Sequence, residues 1–290
     1  MISEETYNNL VNNFKRTLIS ERRSPRTVKQ YAFLYSKFLK YVNKEPVECT
    51  QQDIEKFKFF LATSKAYSKA SQYLAIQAVK CAFRTLEVAV PKNLTPPKRS
   101  RKMPVFLSPK ESAMLIRASG KNLQVRIIIS TLLYSGIRVS ELCNMKTEDI
   151  NFDEGSIIIH GGKGDKERVV LVPSEVSELM KNYHMEMIER GKISEYLLIS
   201  QKGGKFDTST IERVVKKVAQ EAGIRRRVTP HTLRHTFATN ILRNGGDIRF
   251  IQTLLGHANI GTTEIYTHID SEAMREMFRK FGPKYTDEDM

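Results

Sequence analysis

Residues 91–104 read PKNLTPPKRSRKMP, with four prolines, five basic residues and no acid. Proline lacks a backbone N–H and fixes φ, so at this density the chain forms neither a helix nor a central strand. The stretch is expected to be a basic, extended interdomain linker that separates residues 1–90 from residues 105–290. Charge divides at the same place. Residues 1–103 hold 20 Lys+Arg against 8 Asp+Glu, a net +12, while residues 104–290 hold 27 against 24, a net +3. An excess of that size on the smaller part is the footprint expected of a surface that grips a phosphate backbone. The plainer alternative is a solvated basic face kept for solubility.

Upstream of the divide the pattern is helical throughout. Leu10, Phe14 and Leu18 recur every four residues. Ser24-Pro25 reads as an N-cap followed by proline in the first turn, ahead of Val28, Tyr31, Leu34 and Phe38. Thr50-Gln-Gln-Asp53 opens a third helix through Ile54, Phe57 and Leu61, and Ser71 to Val90 makes a fourth. No combination of residues in this bundle suggests catalysis.

Downstream the pattern is mixed. Ser108-Pro-Lys-Glu111 resembles a capping box. Val125–Leu133 is apolar without a period and reads as helix or strand. Ser156–His160 and Glu167–Val172 are β-rich runs around the glycine-rich turn Gly161-Gly-Lys-Gly-Asp165, hence a hairpin. Helices are expected again at 173–190, 208–222, 232–243 and 247–255. An amphipathic one follows at about 271–281, with Ala273, Met274, Met277, Phe278 and Phe281 as its apolar stripe.

The whole chain of 290 residues carries +15 and is 40% hydrophobic, which excludes wholesale disorder. No apolar run is long enough to span a membrane, and MISEETYNNL lacks the pattern of a secretory signal, so a cytoplasmic, nucleoid-associated protein is expected. Cys49, Cys81 and Cys143 are isolated from one another and read as small residues of a reduced protein. No GxxxxGK[ST] loop is present, no acidic cluster such as DxD suggests a two-magnesium nuclease site, and His231 and His235 fail the HExxH pattern because residue 232 is Thr. Neither a cofactor nor a metal is expected. A reaction on nucleic acid would then have to manage phosphate charge with the protein's own cations.

The densest polar segment is Thr229-Pro-His231-Thr-Leu-Arg234-His235. His231 and Arg234, three residues apart on a helix, share a face. Leu255-Gly-His257 and then Tyr266 follow. Upstream lie Ser135-Gly-Ile-Arg138-Val-Ser-Glu141-Leu142 and the hairpin segment Gly162-Lys163-Gly-Asp-Lys-Glu-Arg168. In this order and at these spacings the chain resembles the tyrosine recombinase (lambda integrase-like) family, and within it the Xer-type recombinases, including the archaeal ones. The resemblance spans nearly the whole chain.

The resemblance implies a mainly α fold with a small β component: an N-terminal four-helix core-binding domain plus an α+β tyrosine-recombinase catalytic domain. It implies a site-specific DNA recombinase that cuts through a 3′-phosphotyrosyl intermediate and works as a homotetramer through a Holliday junction. Chromosome dimer resolution is the expected biology. Tyr266 is then the nucleophile. Arg138, Arg234 and His257 hold the phosphate oxygens. Lys163 protonates the 5′ leaving oxygen, His231 takes the tyrosine proton, and Glu141 orients the Arg138 side of the site. Lys166 is a lesser rival to Lys163, and His160, His184, His235 and His268 are read as supporting or solvated residues. The C-terminal helix is expected either to dock into a neighbouring protomer or to lie on its own domain. The rival functions are an integrase or resolvase of a mobile element, a type IB-like topoisomerase, and a DNA-binding protein without catalysis.

Overall fold

A computed structural model of the chain describes residues 2–98, 103, 105–161, 167–201, 203–256 and 271–285. It separates into two compact units, Met1–Lys102 and Met103–Met290, each with its own core. Among the described residues no helix is long and apolar enough to cross a membrane.

The first unit is a bundle of α1 (Glu4–Ser20), α2 (Pro25–Val42), α3 (Gln51–Thr63) and α4 (Lys69–Thr85). Each helix starts on a hydroxyl N-cap (Ser3, Ser24, Thr50 and Ser68) whose oxygen accepts an otherwise unpaired N–H of the first turn. The apolar residues spaced by three and four face inward. Phe38 sits at the centre, edge-on to Phe57 at 5.1 Å and to Phe83 at 5.9 Å. The fourth helix ends well before Val90. Leu86 caps it and Glu87 turns to φ 57°, after which Val88, Val90 and Pro91 disfavour a helical backbone. The chain does not leave the bundle at Pro91. Leu94 is buried in the bundle core, the Asn93 side chain donates to the Gln51 carbonyl at 2.9 Å, and Lys58 donates to the Asn93 carbonyl at 2.9 Å. Leu94 is an apolar anchor inside a proline-rich stretch, so the segment stays on α3 before it becomes a connection.

The second unit begins with α5 (Pro109–Ala118), α6 (Leu123–Ser135) and the short α7 (Val139–Asn144). A 3-10 turn (Thr147–Asp149) leads into β1 (Ile150–Asn151), β2 (Ser156–Ile159) and β3 (Arg168–Leu171). Then follow α8 (Ser174–Glu189), α9 (Thr208–Glu221), α10 (Pro230–Arg243), α11 (Ile248–Leu255) and α12 (Ser271–Phe281). The sheet is antiparallel in the order β1-β2-β3, and Ile159 pairs with Arg168 at the turn end of the hairpin. The ambiguous apolar run is helix α6. Ile127 through Leu133 are all buried among α5, α8, α9 and α10, so the helix has no polar face to give it a period.

Helix α12 lies on its own unit. Met274, Met277, Phe278 and Phe281 pack against Phe237, Ile241, Phe250, Ile251, Leu254 and Leu255 of α10 and α11. Ala273, expected in the apolar stripe, is exposed instead. Beyond α12, Tyr285 is partly buried, edge-on to Tyr134, and its hydroxyl accepts from Asn240 at 2.8 Å.

Candidate active site

Three helix ends meet in the second unit. The first is the C-terminus of α6, where Gly136 takes φ 62°. A Cβ there would lie 2.3 Å from the Phe237 ring, so only glycine lets α10 come this close. The second is the N-terminus of α7, where Arg138 stands at the N-cap. The third is the C-terminus of α11 at Leu254, Leu255 and Gly256.

Arg234, on α10, joins two of these ends. Its Nη1 donates to the Gly136 carbonyl at 2.7 Å and its Nη2 to the Leu255 carbonyl at 2.8 Å. Both acceptors sit at helix C-termini, where carbonyls lack intrahelical partners and carry partial negative charge. The side chain is buried, and that burial, with the nearby Arg138 charge second, brings its pKa down to about 10. The guanidinium stays charged at neutral pH. Arg138 is more open, with a third of its side chain exposed.

Glu141 binds this cationic cluster together. Its carboxylate accepts from the Arg138 backbone N–H at 2.7 Å and from Arg138 Nη1 at 2.7 Å. It also accepts two bonds from Arg168, at 3.0 and 2.7 Å. Burial by itself would raise the carboxyl; the Arg168 and Arg138 hydrogen bonds outweigh it and hold the pKa at about 2. Arg168 also donates from Nε to the Leu254 carbonyl at 2.9 Å. Two guanidiniums therefore meet one carboxylate, with the Arg234 charge close by, and the surplus positive charge suits an anion.

The structure thus brings Arg138, Glu141 and Arg234 together. Arg168 was not anticipated as a site residue. It lies 27 residues from Glu141 and opens an otherwise apolar strand, so no local spacing announces it. His231 and His235 both lie exposed on α10. Partial burial, then His231 and Arg234, push the His235 pKa down. His160, read above as a bystander, holds two carboxylates: Nδ1 lies 2.7 Å from Glu167 and Nε2 lies 2.6 Å from Asp149. Hydrogen bonding to Glu167 first, and then to Asp149, raises its pKa. Lys163, Lys166, His257, Tyr266 and His268 lie outside the described residues. Among the described residues no group of three or more His, Cys, Asp and Glu is placed to hold a metal ion.

Comparisons with known proteins accord with this arrangement. Residues 106–273 match the Phage integrase family and residues 10–88 match the Phage integrase, N-terminal SAM-like domain. Tyrosine recombinase XerA of Pyrococcus furiosus is 37% identical over 268 residues, covering 91% of this chain and 90% of the relative. The crystal structure of a XerA recombinase is 47% identical, covers 96% of this chain and 100% of its own, and superposes with a TM-score of 0.53. XerH site-specific recombinase bound to its difH substrate, a pre-cleavage complex, is 25% identical with a TM-score of 0.65 over 86% of this chain and 77% of that one.

Proposed function

The chain belongs to the phage integrase family and is a tyrosine-type site-specific DNA recombinase, and on that premise we propose that Tyr266 cuts DNA at a specific site by forming a 3′-phosphotyrosyl bond. The observation that carries this reading is the pinned pair Arg138 and Arg234, anchored by Glu141 and by helix-end carbonyls.

In the cleavage step the Tyr266 oxygen attacks phosphorus and the bond from phosphorus to the 5′ oxygen breaks. An unperturbed tyrosine has a pKa of about 10, so the attack needs a base and nearby cations. His231 takes the phenolic proton. Arg138, Arg234 and His257 carry the charge on the non-bridging oxygens, which grows in the transition state. Lys163 donates a proton to the leaving 5′ oxygen; neighbouring arginines disfavour its charged form, which makes that donation easier. A 5′-hydroxyl attacking the phosphotyrosine reverses the same steps. The covalent bond stores the phosphodiester linkage, so no ATP, metal or other cofactor is required. Two duplexes and four protomers then exchange strands through a Holliday junction, and Xer-like chromosome dimer resolution is the cellular role. A protein with that role works in the cytoplasm, on the nucleoid.

Covalent trapping tests this. The protein is incubated with a nicked suicide duplex carrying a candidate site, beside Tyr266→Phe, and resolved on a denaturing gel. An adduct formed by the parent and lost in Tyr266→Phe is expected. An adduct that survives the substitution removes Tyr266 as nucleophile. Relaxation of plasmid lacking any site, without strand exchange, would instead mark a topoisomerase.

A further inference from the structure

The sequence that connects β2 to β3 is long for a hairpin. The last strand pair is Ile159 with Arg168. His160 and Glu167 follow it, one on each side, and six residues, 161–166, connect them. Hairpin connections usually have about two to five residues, whose own backbone bonds fix the loop. A six-residue connection gains from a side-chain fastener at its foot. His160 supplies one. It meets Glu167 across the hairpin at 2.7 Å and Asp149, at the end of the 3-10 turn, at 2.6 Å. Asp149 is itself buried, and its other oxygen accepts the Lys146 backbone N–H at 3.1 Å. The foot of the turn is therefore tied through His160 to the turn that starts the sheet.

Both ring nitrogens face carboxylate oxygens. A carboxylate only accepts, so both contacts are hydrogen bonds only when both nitrogens carry protons. The clasp is an imidazolium between two carboxylates, and the neutral ring loses one side of it. The charged groups facing His160 are Glu167, beside β3, and Asp149, on the 3-10 turn. Glu141 of α7 lines the same hollow but is already held by Arg138 and Arg168.

We infer that His160 is a positioning residue for the recombinase reaction: by clasping Asp149 and Glu167 it fixes the foot of the hairpin that carries Lys163 and so aims that lysine at the leaving oxygen. The inference rests on the proposed role of Lys163 as general acid. It is separate from phosphate binding by the arginines, and that difference makes it testable.

A 5′-bridging phosphorothiolate replaces the leaving oxygen with sulphur, which departs as a thiolate and needs no proton. The test measures single-turnover cleavage of all-oxygen and 5′-thio suicide substrates by the full chain, its His160→Ala and His160→Gln variants and Lys163→Ala. His160→Ala is expected to cleave the oxygen substrate about 10- to 100-fold more slowly, as misplacement of a reacting group does. The loss should shrink to within about threefold on the thio substrate, as expected for a group that acts only by placing a general acid. His160→Gln keeps a donor to one carboxylate and should lie between. The parent should lose its advantage over His160→Gln as pH rises through the raised histidine pKa, because the clasp needs the charged ring. Equal slowing of both substrates, or slowing of neither, overturns the inference. If Lys163→Ala is slowed equally on both substrates, Lys163 is not the acid, and the inference falls with that assignment. Unchanged thermal melting of His160→Ala, expected because over half of the side chain is exposed, keeps the kinetic readings interpretable.

Discussion

At the scale of single residues the site is a balance of charge. Glu141 offsets two arginines that would otherwise repel each other in a low-dielectric pocket. Its carboxyl, ordinarily near 4.5 and held at about 2, contributes stability that is full above its unfolded pKa and lost as pH falls from there towards about 2. That contribution is about 3 kcal/mol at neutral pH. Glu141→Gln should therefore melt well below the parent at pH 7, and the gap should narrow below about pH 4.5 and close only as the pH falls through about 2, by thermal unfolding across a pH series. A gap independent of pH would mean that Glu141 acts through shape alone. On the chemical side, Arg138→Ala should slow covalent trapping by about 100- to 1000-fold, the range for removing one preorganised donor to a developing anion. Single-turnover cleavage at saturating protein separates that from weaker binding. Arg138, Glu141 and Arg234, which the structure brings together, were legible in the sequence because the motifs that hold them keep their order along the chain. Arg168 was not legible, because its value comes from a carboxylate 27 residues upstream and a carbonyl 86 residues downstream.

At the scale of elements, the short-range signals located starts better than ends. Ser24-Pro25, Thr50 with Asp53, and Ser108 with Glu111 open helices as their hydroxyls require. The ends depend on what the chain packs against afterwards. Helix α4 stops at Thr85 although apolar residues continue, and α6 hides its period by being buried on all sides. Helix α12 belongs here too. Its apolar stripe was legible; the surface that receives it was not, because Phe237, Ile241, Phe250 and Leu254 come from two other helices. Phe278→Ala should destabilise the second unit by about 2 kcal/mol, less than a fully buried phenylalanine because its ring is only partly covered. Chemical denaturation of the DNA-free protein reads this directly. If stability without DNA is unchanged, the helix does not spend its time on its own domain.

At the scale of the whole molecule the charge is unevenly divided. The first unit carries +12 of the chain's +15. Each phosphate neutralised contributes about −0.9 to the slope of log affinity against log salt. A fragment of residues 1–102, which has its own core, should keep most of the salt slope of the full chain on duplex DNA. Fluorescence anisotropy between about 50 and 300 mM salt measures it. A fragment with a flat slope would show that its basic surface faces water and serves solubility.

The arginines of the site have a further consequence for anyone who wants an inert copy of the protein. Arg234 and Arg168 tie off the last carbonyls of α11 and, through Gly136, the end of α6. Replacing either unfastens that frame, and replacing Arg234 also removes a proposed phosphate ligand in the same stroke. A reagent meant to occupy DNA without cutting it should therefore be made at Tyr266 and not at an arginine. Collections of inactive variants gathered by screening should sort into two kinds, one soluble and DNA-bound, the other lost to aggregation, with Arg234 and Arg168 in the second.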